Sequence, residues 1–113
     1  MAKQFYRVSN QALADLYQIA NYLGTEAPNS ADAVLDEIHD VFQTLSGNTE
    51  LGTERDDLSP GLRMFVPRRP AQNYVILYYT IGGGVEISDV IHAARDWVGM
   101  FRRGERGENR PNE

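Results

Sequence analysis

Two segments in the first half of the chain carry apolar residues at helical spacing. One follows Ser9 and the other follows Ser30, and serine is well suited to cap a helix N-terminus. The pattern predicts helices over about 10–23, ended by Gly24, and over about 30–46. Because few residues join them, the helices must form an antiparallel hairpin with both apolar stripes facing one core. The positions that define these stripes are Ala12, Leu13, Leu16, Ile19, Ala20 and Leu23, then Val34, Ile38, Val41, Phe42 and Leu45.

The other apolar segments alternate or run continuously, as β-strands do. Residues 47–60 keep neither period and are predicted to form a loop, and residues 95–101 a short final helix. The four predicted strands cover residues 5–8, 62–66, 74–79 and 85–91, with a glycine turn before the last. The element order is βααβββα. It predicts an α+β domain of two layers, in which an antiparallel sheet packs on the helical hairpin.

The length of 113 residues and the hydrophobic content of 42% fit one globular domain. Residues 104–113 are rich in charge and contain no aromatic side chain. A segment of this composition buries too little apolar surface to fold by itself. We therefore expect one domain over 1–103 and a disordered charged tail over 104–113.

The composition also excludes several kinds of catalytic and metal-binding site. The chain has no cysteine and only two histidines, His39 and His92, which excludes disulfides, thiol nucleophiles and cysteine-based zinc sites. We expect neither a metal nor a cofactor. No apolar run approaches the roughly 20 residues that span a bilayer, and the first residues lack the apolar core of a secretion signal. The expectation is a cytoplasmic protein without a membrane partner.

The charge is unevenly distributed. The net charge is -5, and residues 9–57 carry ten acids against one arginine. A protein that binds DNA directly neutralises phosphates with many cations, so this balance predicts no direct sequence-specific DNA binding. Ten of the eleven basic residues are arginine, the side chain suited to planar contacts with partners.

Several short motifs follow one another in a fixed order along residues 5–101. They include Arg55-Asp56-Asp57-Leu58, Gly61-Leu62-Arg63, the aromatic run from Tyr74 to Tyr79, and the stretch from Val90 to Asp96. In this order and spacing they resemble the ParE branch of the RelE/ParE toxin superfamily. The resemblance implies the fold of that superfamily and the toxin half of a type II toxin–antitoxin system, of the kind linked to plasmid stabilisation. It also implies a hetero-oligomeric complex with a ParD-like antitoxin that has a ribbon-helix-helix DNA-binding half.

The superfamily joins two activities. RelE-type members are ribosome-dependent endoribonucleases that cleave messenger RNA without a metal, whereas ParE-type members are regarded as inhibitors of DNA gyrase with no hydrolytic site. The nuclease pattern requires basic residues before the second strand, an arginine where this chain has Val75, and a tyrosine in the final helix. Arg63, His92 and Arg95 remain as catalytic candidates for a nuclease. The missing groups and the acidic charge favour gyrase inhibition, and a degenerate toxin that only binds its antitoxin is a third hypothesis.

Under the gyrase hypothesis, the candidate contacts lie on one strand and the final helix. Arg63 and Phe65 share a strand face that we expect to be exposed, which suits a partner site. Arg95 is expected either to pair with Asp89 or to contact a partner. Helical spacing groups three further residues on one face, which serve either as the contact that docks the helix on the sheet or as an anchor for gyrase or the antitoxin: Trp97, Met100 and Phe101.

Overall fold

The structure, a computed structural model, describes residues 4–107. Its elements follow the predicted order, with one additional two-residue strand inside the predicted loop. They are β1 (Phe5–Val8), α1 (Asn10–Glu26), α2 (Ala31–Gly47), β2 (Thr53–Glu54), β3 (Leu62–Phe65), β4 (Tyr74–Ile81), β5 (Gly84–His92) and α3 (Trp97–Arg102).

The five strands form one mixed sheet in the order β1-β5-β4-β3-β2. β3, β4 and β5 make the predicted antiparallel meander, and β2 pairs antiparallel with β3. β1 differs, because it lies parallel to β5, with Phe5 opposite Gly84 and Val8 opposite Ile87. A parallel pair needs a long crossover connection, and the helical hairpin supplies the first part of it.

The helix starts follow the sequence more closely than the helix ends. The Ser9 hydroxyl accepts a hydrogen bond from the Ala12 amide at 3.0 Å and so caps α1, as predicted. Ser30 occupies the cap position of α2 without a side-chain cap bond. Gly24 does not end α1, which continues to Glu26. The helix continues through Gly24 because a glycine ends a helix only where the backbone leaves the helical conformation.

Apolar side chains fill both faces of the sheet. The hairpin covers one face, where Ile38, Leu45 and Ile76 are among the buried residues. The opposite face carries a second core beneath α3, with Leu62, Val75, Leu77, Tyr79, Ile91 and Phe101. The fold is therefore the predicted α+β domain with a further short helix closing the other side.

No helix within residues 4–107 combines the length and the apolar character that crossing a bilayer requires.

Candidate functional site

Arg63 is held by the loop that precedes β2. Its Nη1 donates to the carbonyl oxygens of Glu50 at 3.0 Å and Gly52 at 2.6 Å, and its Nη2 lies 3.4 Å from Glu54 Oε1. The side chain is only 16% exposed. Arg63 therefore fixes the path of the loop, and its Nη1 group is engaged by two backbone carbonyls.

The same loop is also held by the Tyr78 side chain from β4. The Tyr78 hydroxyl accepts from the Gly52 amide at 2.8 Å and donates to the Thr49 carbonyl at 2.9 Å. Burial raises the pKa of Tyr78, so the hydroxyl stays protonated as a donor. A Cβ on Gly52 would lie 2.7 Å from the Met64 carbonyl oxygen, so the chain can pass here only as glycine.

Phe65 corrects the prediction that its strand face is exposed. Arg63 and Phe65 do share a face, but it is the face covered by the hairpin, and Phe65 packs partly buried against the core there. Leu62 and Met64 point to the opposite face and pack under α3. The prediction was wrong because it assumed one free face, whereas both faces of this sheet are covered.

His92 lies at the far end of the sheet from Arg63. His92 on β5 pairs with Tyr74 of β4. Arg63 on β3 pairs with Tyr78, which lies four residues farther along the same strand. Four residues along a strand and two strand spacings separate their backbones by about 16 Å. The Ala94 amide donates to His92 Nδ1 at 3.1 Å, so a neutral ring carries its proton on Nε2. The ring also contacts Tyr74 edge-on, with centroids 5.2 Å apart.

Arg95 follows His92 in an exposed turn. Within residues 4–107 it forms no ion pair, and the predicted pairing with Asp89 is wrong because Asp89 is bound by Arg106 instead. Arg63, His92 and Arg95 are thus not assembled around a common point.

α3 places Met100 and Phe101 in the core and Trp97 nearer the surface. Asp96 caps the helix by accepting from the Gly99 amide at 3.0 Å, and this hydrogen bond lowers the pKa of Asp96. Met100 and Phe101 are 8% and 5% exposed, which agrees with the first of the two alternatives, a contact that docks the helix on the sheet. The two residues share one face of α3, as their spacing predicts, and this face packs against the sheet. Trp97 is half-buried, and the Arg55 guanidinium lies 5.2 Å from its ring centroid.

A buried ion cluster joins the beginning and the end of the chain. Arg106 donates from Nη1 and Nη2 to the two carboxylate oxygens of Asp15 at 2.9 and 3.0 Å, and from Nη1 to Asp89 Oδ2 at 2.6 Å. We call these three residues the Arg106 cluster. Their side chains are 8%, 4% and 2% exposed for Arg106, Asp15 and Asp89. Asp15 also accepts from the Val90 amide at 2.9 Å, a donor that β1 leaves free because it ends at Val8.

The Arg106 cluster corrects the prediction of a disordered tail beginning at residue 104. That prediction is wrong for residues 104–107, and residues 108–113 lie outside the described part of the chain. A charged segment can order when its charge meets buried partners, as Arg106 does. Composition alone does not reveal such partners.

Two carboxylates share one guanidinium in this cluster. For Asp89, burial has the largest effect on the pKa. Burial raises the pKa of Asp89 above its ordinary value of 3.8, although hydrogen bonds from Ser88 and Arg106 oppose the change. For Arg106, burial acts to lower the pKa, but the hydrogen bonds to Asp15 and Asp89 outweigh it and the pKa is raised. The arginine therefore stays charged.

Asp15 occupies a position of the apolar stripe of α1, a feature that the sequence analysis did not use. The buried residues of α1 are Ala12, Asp15, Ile19 and Leu23, which are spaced by three or four positions. A carboxylate at a position of the apolar stripe has to find a cation or a donor inside the fold. Its partner is 91 residues away, and no local pattern identifies it.

A pocket of about 390 Å³ lies between α1, the beginning of β4 and the end of β5. Asp15, Ile19, Tyr22, Tyr74, His92 and Arg95 are among the residues that line it. Within residues 4–107, no three histidine, aspartate or glutamate side chains are grouped to hold a metal ion.

Comparisons with known proteins agree with this architecture. A family model described as "ParE toxin of type II toxin-antitoxin system, parDE" matches residues 6–97. A solved structure described as "Chromosomal ParDE TA system from P. aeruginosa" is similar, with a TM-score of 0.66 and 19% identity, covering 81% of this chain and 98% of that chain. At this identity the solved structure shows the shared fold. No curated protein matches the chain. Since the family model spans most of the described residues, the chain belongs to the ParE toxin family of type II toxin–antitoxin systems.

Proposed function

We propose that this toxin inhibits DNA gyrase through protein contact and that a ParD-type antitoxin neutralises it by binding. Membership of the ParE family supports the pairing with an antitoxin, as does the likeness to a solved ParDE system. The choice of gyrase over messenger RNA rests on the chemistry of the residues that a nuclease would use.

The observation that supports gyrase over messenger RNA as the target is that Arg63 is already hydrogen-bonded within the fold. A nuclease needs free cationic donors to stabilise the extra charge on the phosphate in the transition state. Arg63 instead donates to two loop carbonyls and lies beside Glu54. Turning it toward RNA would break both bonds and leave the partly buried Gly52 carbonyl without this donor, at a cost of about 1–3 kcal/mol.

The position of His92 supports the same choice. A general base must lie within hydrogen-bond reach of the group that it deprotonates, while the cation holds the phosphate alongside. The backbones of His92 and Arg63 lie about 16 Å apart by strand geometry, and the Arg63 guanidinium is bound to the carbonyls of Glu50 and Gly52, which disfavours joint action on one phosphate.

For the contact with gyrase we propose a surface formed by Arg55, Trp97 and Arg102, the α3 surface. Trp97 packs against the second core and is half-buried, so its side chain is held in place while part of the residue remains accessible. Arg55 stacks on that ring, and the Arg102 side chain is 65% exposed. Tryptophan and arginine are the residues most often found at energetic centres of protein interfaces. Met100 and Phe101 contribute from within, by holding α3 on the sheet.

The test is a supercoiling assay with purified gyrase and the full-length toxin. We expect the wild-type toxin to inhibit supercoiling and accumulate cleaved DNA. Trp97→Ala and Arg102→Glu should each weaken inhibition by about 10-fold or more, as expected for contact residues. Arg68→Glu changes the charge equally at an 85% exposed side chain away from α3, and should stay within about 3-fold of wild type.

A parallel assay of messenger cleavage in a translation extract distinguishes the alternatives. Cleavage that is lost in Arg63→Ala or His92→Ala would overturn the proposal in favour of the nuclease. Neither cleavage nor gyrase inhibition, in a toxin that still binds its antitoxin, would identify a degenerate toxin.

A further inference from the structure

The chain turns back immediately after α3. The Gly104 amide donates to the Phe101 carbonyl at 3.1 Å, and the Glu105 amide donates to the Met100 carbonyl at 2.9 Å. Gly104 has a φ of 75°, a left-handed conformation that glycine adopts without strain and that commonly follows a helix end. Because the backbone is bonded to α3 as far as Glu105, the next residue, Arg106, has little freedom to move relative to the helix.

Residues 103–107, which we call the strap, contact elements on both sides of the sheet. A Cβ built on Gly107 would lie 3.0 Å from the Phe101 ring, so the strap lies close to a side chain that holds α3 on the sheet. The Arg106 side chain binds Asp15 of α1, which belongs to the helical hairpin on the opposite face. The strap therefore links α3 to the hairpin.

This link is made where the edge of the sheet is open. β1 pairs with β5 only as far as Ile87, and farther along β5 the Val90 amide donates to the Asp15 carboxylate instead of to a strand. At this edge Arg106 binds a residue of the hairpin, although the strap follows α3. A change on α1 can therefore affect α3 without passing through the sheet.

α3 needs such contacts because it is short. It has six residues, whereas isolated helices shorter than about 12–15 residues are marginal in water. Met100 and Phe101 give it an apolar contact with the sheet. Arg106 adds three charge-assisted hydrogen bonds from one planar group to two buried carboxylates. Such bonds restrict orientation more narrowly than apolar packing does.

We infer that Arg106 is a positioning residue for the contact with gyrase. It lies outside the α3 surface formed by Arg55, Trp97 and Arg102, but it holds the strap, and the strap fixes α3 on the sheet. With Arg106 bound, the Trp97 ring is presented beside the Arg55 guanidinium. With Arg106 released, α3 leaves the second core more often and the surface is no longer assembled. The effect on gyrase rests on the proposed function, whereas the effect on α3 does not.

Trp97 provides the readout, since it is the only tryptophan of the chain and begins α3. Quenching of its fluorescence by acrylamide measures how accessible the ring is. In full-length Arg106→Ala the quenching constant should rise about 2-fold, and gyrase inhibition should weaken on the order of 10-fold. Asp15→Asn alters the Arg106 cluster from α1 and should change both measurements in the same direction, because an amide binds a guanidinium more weakly than a carboxylate does.

Two controls separate positioning from a general loss of stability. Leu45 is buried in the core on the hairpin face, and Leu45→Ala should destabilise the fold about as strongly as the loss of a buried charge partner. At a temperature where circular dichroism shows every variant to be folded, it should leave quenching unchanged. Arg103→Ala removes an arginine of the strap whose ion pairs lie at the surface, and its gyrase inhibition should stay within about 3-fold of wild type.

The comparison between the variants decides the inference. Quenching and inhibition that follow the melting temperature alike in Arg106→Ala, Asp15→Asn and Leu45→Ala would overturn it, because Arg106 would then act through stability alone. If Arg106→Ala does not fold, Asp15→Asn against Leu45→Ala decides in the same way, since asparagine keeps an oxygen that can accept from the Val90 amide. A wild-type toxin without effect on gyrase would refute the proposed function, and the fluorescence comparison would still decide whether Arg106 positions α3.

Discussion

At the scale of single residues, this toxin uses its polar side chains mainly to hold the backbone in place. Arg63, Tyr78 and Asp15 each bind main-chain groups that no strand or helix satisfies. Buried backbone groups need such partners because an unmet donor or acceptor destabilises the fold. Among these three residues, Arg63 is the one that the sequence offered as a catalytic candidate, and its guanidinium is bound to the loop backbone.

Tyr78→Phe tests this role. The substitution leaves the Gly52 amide and the Thr49 carbonyl without their partner, so we expect the free energy of unfolding to fall by about 1–3 kcal/mol. Urea unfolding followed by circular dichroism measures the change. Because the loop also orients Arg63, faster proteolysis between residues 47 and 60 should accompany the loss. Unchanged stability would show that the loop does not depend on this hydroxyl.

Asp89 predicts a dependence of stability on pH. Burial raises its pKa in the folded protein above the ordinary 3.8, so the folded state favours the protonated form. The stabilisation from that proton is complete below about pH 4 and is lost as the pH rises through the raised pKa. Asp89→Asn keeps an oxygen that can accept from Arg106 but can never ionise.

The expected result is a difference between Asp89→Asn and wild type that grows in favour of the variant from about pH 4 to pH 7. Unfolding in urea at several pH values checks it. A difference that shrinks over this interval would mean that the ionised Asp89 is the form the fold prefers.

At the scale of elements, hydrophobic periodicity identified both long helices and three strands of the meander, because these segments bury continuous faces. The end of α1 escaped prediction because Gly24 can equally continue a helix that packing supports. β2 escaped because its two residues are defined only by pairing with Met64 and Arg63 on another strand. Local sequence predicts what local contacts determine, and it does not reveal pairings across the chain.

Gly24→Ala follows from this comparison. Gly24 lies within α1, and a Cβ added there would meet no atom within 4 Å. Alanine restricts the unfolded chain and favours the helix, so the variant should be more stable by about 0.5–1 kcal/mol. Thermal unfolding measures the gain. Gly52→Ala is the contrasting variant and should be destabilised, since its Cβ would collide with the Met64 carbonyl and the Tyr78 ring.

At the scale of the whole molecule, the Arg106 cluster holds together α1, β5 and the segment that follows α3. Arg106→Ala would leave two buried carboxylates without their cation, which should reduce the free energy of unfolding by about 3–5 kcal/mol. Arg103 is the matched control, because its ion pairs with Asp96 and Glu105 lie at the surface. Arg103→Ala should cost less than about 1 kcal/mol.

Two truncations extend this test to the end of the chain. Removing residues 108–113 keeps Arg106 and should change stability by less than about 0.5 kcal/mol, whereas removing residues 104–113 should destabilise the fold as strongly as Arg106→Ala. Urea unfolding compares the two. Equal stability of both truncations would show that the cluster does not support the fold.

The distance along the chain between Asp15 and Arg106 has a consequence for synthesis. A ribosome delivers the chain from its first residue onward, so β1 and the helical hairpin emerge well before β5 and Arg106 exist. During this interval the strand has no neighbour, the apolar stripes are uncovered and the Asp15 carboxylate has no counter-charge. The complete sheet and the Arg106 cluster can therefore form only after residue 106 has left the ribosome.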